Sequence, residues 1–308
     1  MIIQELLDIY TACTLCPRAC NVNRVQGELG YCRLPADLLM DCALPHPGEE
    51  PPLSGTAGAG TLFFSSCNLK CLYCQNHQIS HHSRGRRLTV VELAGEMLSL
   101  QKKGCHNVEA VTPTPQAPLI FEALQLARAQ GLTVPFVYNC GGYENPDWIR
   151  LFDGMVDIYL PDFKYGREEE AVGYSDAPGY VHACIASIQE MVRQVGCDLI
   201  VEDDIASQGV IIRHLVLPGH LDNSKEVLRL IKSEISSVVP LSLMAQYTPI
   251  PGVQVHPTLS RRITRREYEE IIDFAMKLDF ENLFIQEVSD EHLSPDFDDD
   301  HPFGRRSV

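Results

Sequence analysis

Three cysteines lie close together in the segment SSCNLKCLYCQNHQIS, residues 65–80, called here the cysteine loop. Cys67, Cys71 and Cys74 are spaced C-x3-C-x2-C and follow an apolar run. A structural zinc ion takes four protein ligands, and His77 would be available as the fourth. A [4Fe–4S] cluster normally takes four thiolates, so three would leave one iron with an open coordination position. The spacing favours a cluster whose fourth position binds a small molecule; a Cys3His zinc site is the alternative.

A second group of cysteines precedes this loop, with Cys13, Cys16, Cys20 and Cys32 spaced C-x2-C-x3-C-x11-C. Four thiolates can close a zinc tetrahedron or hold a second iron–sulfur cluster. The spacing does not separate zinc from iron–sulfur, and a module of reduced thiols is the further alternative. In a reducing compartment we expect no structural disulfides. The other five cysteines are expected to be small buried side chains: Cys42, Cys105, Cys140, Cys184 and Cys197. For Cys140, which lies next to Asn139, a reactive thiol is the alternative.

The elements that must position these cysteines form a repeating pattern from residue 60 onward. Short apolar or β-branched runs alternate with longer stretches of helical periodicity. Six such units in a row predict an α/β protein with a parallel sheet, either doubly wound or curled into a barrel. The predicted strands are TLFF at 61–64, VEAVT at 108–112, VPFVY at 134–138, VDIYL at 156–160, GVIIRHLVL at 209–217 and LSLMAQY at 241–247.

Polar residues, glycines and prolines collect directly after each predicted strand, and the cysteine loop follows the first one. In parallel α/β folds, ligands bind at the edge of the sheet where the strands end. Asn139, Asp162, Lys164 and Asn223 supply more functional groups than turns alone require. We therefore expect the ligand site at this edge.

The composition limits the classes of partner and divides the chain. A net charge of −16 argues against binding to nucleic acid or to anionic membranes, and no apolar run reaches the length of a membrane span. The start, MIIQELLDIYTAC, lacks the features of a signal peptide, so we expect a cytoplasmic protein. We predict a Cys-rich N-terminal cap and extended segment (1–59), a core (60–290) and a solvated, mobile acidic tail (291–308).

The motif C-x3-C-x-aromatic-C, with Tyr73 as its aromatic residue, resembles the signature of radical S-adenosylmethionine (SAM) enzymes. From about residue 10 to about residue 290, the chain is also similar to a family related to pyruvate formate-lyase-activating enzymes. The segments that carry this similarity are CTLCPRACNVNRVQGELGYCRLP, CLYCQNHQIS, VTPTPQAP, VYNCGGYE, VDIYLPDFKY, RHLVLPGH, LMAQYTPIP and ITRREYEEII.

The resemblance implies a partial (β/α)6 barrel that holds a [4Fe–4S] cluster and SAM, with the amino and carboxylate groups of SAM on the open iron. It implies reductive cleavage of SAM by an electron from a reductant such as flavodoxin or ferredoxin. The resulting 5′-deoxyadenosyl radical would abstract a hydrogen atom from a partner, either a protein glycine or a small molecule. A non-catalytic iron–sulfur redox or electron-transfer protein is the alternative function.

The resemblance also assigns side chains to SAM, although it assigns no catalytic residue. Thr114 stands where related enzymes carry a Gly-Gly-Glu turn, from which this sequence departs. Asn139 and Asp162 match positions near the cofactor and, in some activating enzymes, near a monovalent cation. Lys164 matches a lysine that meets the SAM carboxylate. Arg213 is assigned to a carboxylate as well; its alternative is a barrel-interior arginine paired with an acidic residue.

Overall fold

The computed structural model describes residues 7–289, 294–299 and 301–304. The strands of the described residues are β1 (Leu38–His46), β2 (Ala59–Phe64), β3 (Arg86–Leu88), β4 (Val108–Val111), β5 (Phe136–Cys140), β6 (Ile158–Pro161), β7 (Ile200–Glu202), β8 (Ile205–Val210), β9 (Ile212–Leu215), β10 (Leu241–Met244) and β11 (Leu283–Ile285). The α-helices are α1 (Pro51–Ser54), α2 (His77–Ser80), α3 (Val90–Lys102), α4 (Ala117–Ala129), α5 (Pro146–Arg150), α6 (Glu168–Ser175), α7 (Tyr180–Val195), α8 (Leu221–Leu230) and α9 (Arg265–Lys277). Short 3-10 turns at Ile9–Thr11, Arg24–Gln26, Thr114–Gln116 and Pro251–Val253, and a π turn at Ile231–Ile235, complete the list.

The strands form two sheets that continue into one another. The larger has the order β3-β1-β2-β4-β5-β6-β8-β7 and the smaller the order β11-β10-β9. From β2 to β6 and on to β8 all neighbours are parallel, as they are in the smaller sheet. A parallel bridge between Asp162 and Arg213 joins the end of β6 to β9. The predicted run 209–217 is therefore one strand that first pairs with β6 and then, after Ile211, with β10.

This parallel array curls around an interior of its own. Val137 of β5, Ile158 of β6 and Ile211 share a buried cluster, against which Phe284 of the last strand packs. Side chains from β5 and β11 can meet only if the array bends toward itself. The prediction of an α/β protein with a partial parallel barrel is therefore confirmed.

Successive side chains of each strand lie on alternate faces of the barrel wall, one toward the helices and one toward the interior. On β2, Leu62 and Phe64 belong to the main core shared with the helices, whereas Phe63 belongs to a separate cluster with Val111 of β4. Successive side chains of a strand point to opposite faces, so Phe63 and Val111 face the interior. The helices cover the outside, and their start signals are strong: Thr89 caps α3 with Glu92, as Thr264 caps α9 with Glu267.

Two features of the N-terminal segment differ from the predictions. β1 and β3 add antiparallel strands at the edge beyond β2, so the sheet begins inside the segment assigned to the cap. The stretch LPHPGEEPPLSGTAGAG, which lies in the segment predicted to be extended, carries the single turn α1. Pro51 occupies the first position of that turn, where proline is tolerated because its missing N–H would have no partner. The boundaries of the three predicted segments stay a prediction.

The part of the tail that the structure describes lies against the inner face of the barrel wall. The ring centroid of Phe297 lies 5.4 Å from that of Phe63, and the ring of Phe303 lies 5.2 Å from the same residue. Arg84 binds the Asp298 carboxylate at 2.6 Å. The sequence predicted a solvated tail, yet Phe297 is only 4% exposed because it fills an apolar site. Residues 290–293, 300 and 305–308 lie outside the described part of the chain.

Candidate functional site

The cysteine loop leaves the sheet at the carboxyl end of β2, as predicted. Ser66, directly before Cys67, has a φ of +73°, a left-handed conformation that non-glycine residues rarely adopt. The Ser66 N–H donates to the Ile79 carbonyl at 2.9 Å, which closes the loop on itself. On its other side the loop is tied to the end of α6, where the Leu72 N–H donates to the Tyr174 carbonyl at 2.8 Å. The loop is therefore held in one conformation from both sides.

Each sulfur of the loop faces a hydrogen-bond donor. The Leu69 N–H donates to Cys67 Sγ at 3.3 Å, and the Ser175 hydroxyl donates to Cys71 Sγ at 2.9 Å. The Ser80 side chain and the Asn76 N–H face the Cys74 thiol. Donors aimed at sulfur stabilise thiolates and tune the potential of a bound iron–sulfur cluster. These donors therefore fit three thiolate ligands.

Burial opposes the formation of thiolates as long as the cysteines bind no metal. It raises the pKa of the Cys74 thiol to about 11, and it raises the pKa of Cys67 as well. Burial also raises the pKa of Cys71, although Lys164 and the Ser175 hydroxyl partly offset this effect. The three thiols are thus neutral near pH 7, and a metal must displace their protons to bind.

The geometry bears on the choice between a cluster and a single ion. Over the described ranges of the chain, no three His, Cys, Asp or Glu side chains come together closely enough to hold one metal ion. In a cubane cluster each thiolate binds a different iron, so the sulfurs surround the cluster instead of meeting at a point. His77, the fourth ligand of the zinc alternative, lies with its Nδ1 3.2 Å from the Cys74 carbonyl oxygen. Among the described residues, the ligands of the zinc alternative are therefore not gathered around one point.

Lys164 and Asp162 lie beside the cysteines at the end of β6. Their side chains form an ion pair. Burial opposes the charge of Lys164, but Asp162 and the nearby Cys71 outweigh it and raise the pKa of Lys164. Lys164 is therefore a fixed cation next to the cysteine loop, with two further N–H donors besides the one directed at Asp162.

Two glycines after β5 allow the chain to pass close to this pair. Gly142 has a φ of +74°, and a Cβ atom there would lie 2.2 Å from the Asp162 carbonyl oxygen. A Cβ atom on Gly141 would lie 2.8 Å from Leu69 of the cysteine loop. The sequence NCGG thus serves close packing of three strand ends around the loop.

The other predicted ligands of SAM have protein partners in this structure. The Asn139 amide donates to Glu109 Oε1 at 2.6 Å, and the Thr114 hydroxyl donates to Glu144 Oε1 at 2.7 Å. Arg213 forms ion pairs with two carboxylates, Glu49 and Glu50. This is the alternative that the sequence left open for Arg213, an interior arginine paired with acidic residues. Of the five predicted SAM ligands, the structure places Asp162 and Lys164 beside the cysteines.

Sequence reasoning missed the buried carboxyl groups around these residues. Glu109 is buried inside the barrel, and burial raises its pKa well above the usual range. A charged residue inside the strand VEAVT was the available signal. Glu144 carried no comparable signal, because it follows a glycine turn in which an exposed glutamate is ordinary.

Solved structures of known proteins share this fold. SuiB of Streptococcus suis, in a crystal structure bound to precursor peptide SuiA, superposes with a TM-score of 0.50 at 10% identity. The match covers 72% of this chain and 47% of that one, so the chain spans about half the length of SuiB. A structure of SuiB bound to S-adenosylmethionine gives the same TM-score.

Relatives by sequence cover more of the chain. The uncharacterized protein MJ0674 of Methanocaldococcus jannaschii is 29% identical over 285 residues, which are 90% of this chain and 78% of that protein. The pyruvate formate-lyase-activating enzyme of Clostridium pasteurianum is 24% identical over 211 residues, 66% of this chain and 82% of the enzyme. The model of the Radical SAM superfamily matches residues 61–231, more than half of the chain. The chain therefore belongs to the radical SAM superfamily.

Proposed function

We propose that this protein is a radical SAM enzyme that cleaves SAM reductively and abstracts a hydrogen atom from a partner. The observation that carries this proposal is the position of the cysteine loop. It lies at the carboxyl end of β2, with the cation of Lys164 beside its sulfurs at the same edge of the sheet. Ligands of parallel α/β folds bind at this edge. Membership of the superfamily implies a [4Fe–4S] cluster and SAM.

The chain's own residues would divide the work of holding these groups. Cys67, Cys71 and Cys74 would bind three irons, while their hydrogen-bond donors stabilise the thiolates. Lys164 would hold the SAM carboxylate with the N–H donors that Asp162 leaves free, because a compact ammonium suits an anionic group. Once bound, the cluster and SAM would supply a 5′-deoxyadenosyl radical after one-electron reduction by a flavodoxin or ferredoxin.

The hydrogen donor of this proposal is a protein glycine or a small molecule. Similarity to two pyruvate formate-lyase-activating enzymes, at 24% and 25% identity, supports the glycine. The barrel interior would receive the donor. Phe63 and Val111 line it with apolar surface, and Phe297 of the tail covers them. Such a surface would keep water away from a reactive radical.

The proposal is tested by anaerobic reconstitution of the full chain with iron and sulfide, followed by dithionite and SAM. We expect 5′-deoxyadenosine and methionine as products. Cys71→Ala should abolish both the products and the visible absorbance of this cluster. Cys105→Ala is the matched control, because Cys105 is a buried cysteine outside both cysteine groups.

Two results would contradict the proposal. A cluster that forms in the wild-type chain but never cleaves SAM would indicate the alternative, a redox or electron-transfer protein. Product formation that survives Cys71→Ala would show that the cysteine loop does not hold the reactive cluster. Once SAM cleavage is established, incubation with candidate partner proteins, monitored by electron paramagnetic resonance, would detect a glycyl radical.

A further inference from the structure

The four cysteines of the cap surround one cavity that adjoins the cysteine loop. Cys13, Cys16, Cys20 and Cys32 all line it, and Asn68 of the cysteine loop forms part of its wall. We propose that these four cysteines hold a second [4Fe–4S] cluster with all four thiolate positions occupied. This proposal does not depend on SAM cleavage, because it concerns a site with no open coordination position.

The turns of the cap are strained at the cysteines. Ala19 and Asn21, on either side of Cys20, have φ values of +41° and +55°. Arg33, directly after Cys32, has a φ of +58°. The left-handed conformation is unfavourable for alanine and arginine, whereas asparagine adopts it more readily. Such strain clusters at ligand clamps, where the surrounding structure must hold side chains in one direction.

Every sulfur of the cap faces an N–H donor. The Tyr31 N–H donates to Cys20 Sγ at 3.4 Å, and Arg24 Nη1 lies 3.9 Å from Cys13 Sγ. The backbone N–H groups of Arg18 and Leu34 face the thiols two residues before them, Cys16 and Cys32. The Leu69 N–H makes the same i+2 contact with Cys67 in the cysteine loop. Four donors aimed at four sulfurs suit thiolates bound to metal better than neutral thiols.

The burial of Arg24 supplies a further observation. It is only 1% exposed, and its guanidinium donates to the carbonyl oxygens of Leu34, Pro35 and Pro115. In the part of the chain that the structure describes, no carboxylate forms an ion pair with it. A buried cation without a counter-charge is costly. Four thiolates around a cubane carry net negative charge, and their nearest sulfur, on Cys13, already lies beside this guanidinium.

A cluster accounts for the arrangement better than zinc does. Zinc needs four sulfurs that meet around one ion, and the described chain contains no three candidate ligands gathered in that way. The same is true of Cys67, Cys71 and Cys74, which the superfamily signature assigns to a cubane. The four cap cysteines line one cavity instead, as ligands of separate irons would.

The test counts iron, acid-labile sulfide and zinc in the anaerobically reconstituted full chain, and Mössbauer spectra identify the cluster type. We expect about eight irons per chain, about four after Cys16→Ala/Cys20→Ala, and about four after Cys71→Ala. Cys105→Ala should keep all eight. In Cys16→Ala/Cys20→Ala, the absorbance of the remaining cluster shows that the core of the variant is folded.

The wild-type count alone can overturn the proposal, whether or not the cap variant folds. About four irons with one zinc, or about four irons with four free cap thiols, would contradict it. A count of about eight that Cys16→Ala/Cys20→Ala leaves unchanged would place the second cluster elsewhere. Failure of SAM cleavage, by contrast, would contradict the proposed function and leave this count unaffected.

Discussion

Glu144 provides a quantitative prediction because it is a carboxyl group enclosed under the cap. It is 1% exposed, and it accepts hydrogen bonds from the Thr114 hydroxyl at 2.7 Å and from the Tyr138 hydroxyl at 3.3 Å. Burial raises its pKa from 4.5 to about 8 in spite of these two hydrogen bonds. The folded protein therefore keeps this proton near pH 7, while the unfolded chain releases it.

The sign of the effect on stability follows from this difference in bound protons. Between pH 4.5 and 8 the folded state binds more protons at this site than the unfolded state does, so the free energy of unfolding falls as the pH rises. The contribution of Glu144 is fully present below the unfolded-state pKa and is lost as the pH approaches 8. A shift of this size corresponds to at most about 5 kcal/mol.

The variant Glu144→Gln keeps the shape of the side chain and an acceptor oxygen for the Thr114 hydroxyl, but it removes the titration. We expect urea unfolding at a series of pH values to show wild type losing stability relative to the variant by several kcal/mol between pH 5 and 8. Glu269→Gln, on an exposed position of α9, controls for the loss of one carboxylate. All samples should carry the same metal content. Parallel stability curves for wild type and Glu144→Gln would refute the reasoning.

Three further predictions concern the surroundings of the cysteine loop. In urea unfolding, Gly142→Ala should lower the free energy of unfolding by several kcal/mol, because its Cβ would lie 2.2 Å from a backbone oxygen. Gly154 has a similar φ but lies in open space, so Gly154→Ala should lower it by only about 1 kcal/mol. Lys164→Met leaves the partly buried Asp162 without its cation and should lower the free energy of unfolding by about 2 kcal/mol. The double variant Lys164→Met/Asp162→Asn should regain part of this stability, and no regain would show that the two side chains are not coupled. Phe297→Ala should reduce the protection of amides in the described tail against hydrogen exchange at least about tenfold. The free energy of global unfolding should change by less than about 1 kcal/mol, since this segment unfolds locally. Unchanged protection would contradict the packing of Phe297 against the barrel wall.

The sequence predicts the features that depend on local patterns. The alternation of apolar runs and helical stretches depends on neighbours a few residues apart, and it identifies β2 through β10 in the parallel array. Thr264 and Glu267 lie three residues apart, so their capping box is visible in the sequence. The position of the cysteine loop follows from the same pattern, because a loop after a parallel strand must lie at the carboxyl edge.

Features that depend on distant partners could not be predicted in this way. β3 and β11 have three residues each, too few for a periodic signal, and they are defined by pairing with β1 and β10. Arg213 is paired with carboxylates more than 160 residues away, so its sequence context gave no reason to prefer Glu50 over a cofactor. Phe297 lies among aspartates, and the charge of its neighbours suggested solvent although its own ring is buried.

The cap and the cysteine loop are joined by contacts that neither sequence segment reveals alone. The Ser66 hydroxyl donates to the Cys32 carbonyl, and Arg18 Nε donates to the Asn68 carbonyl at 3.1 Å. The Arg18 guanidinium stacks 3.6 Å from the centre of the Tyr31 ring. The residues on both sides of Cys67 are thus held by the cap, while α6 holds the other end of the loop. Because strain at Ser66 must be balanced by such contacts, the cap supports the conformation of the cysteine loop from one side.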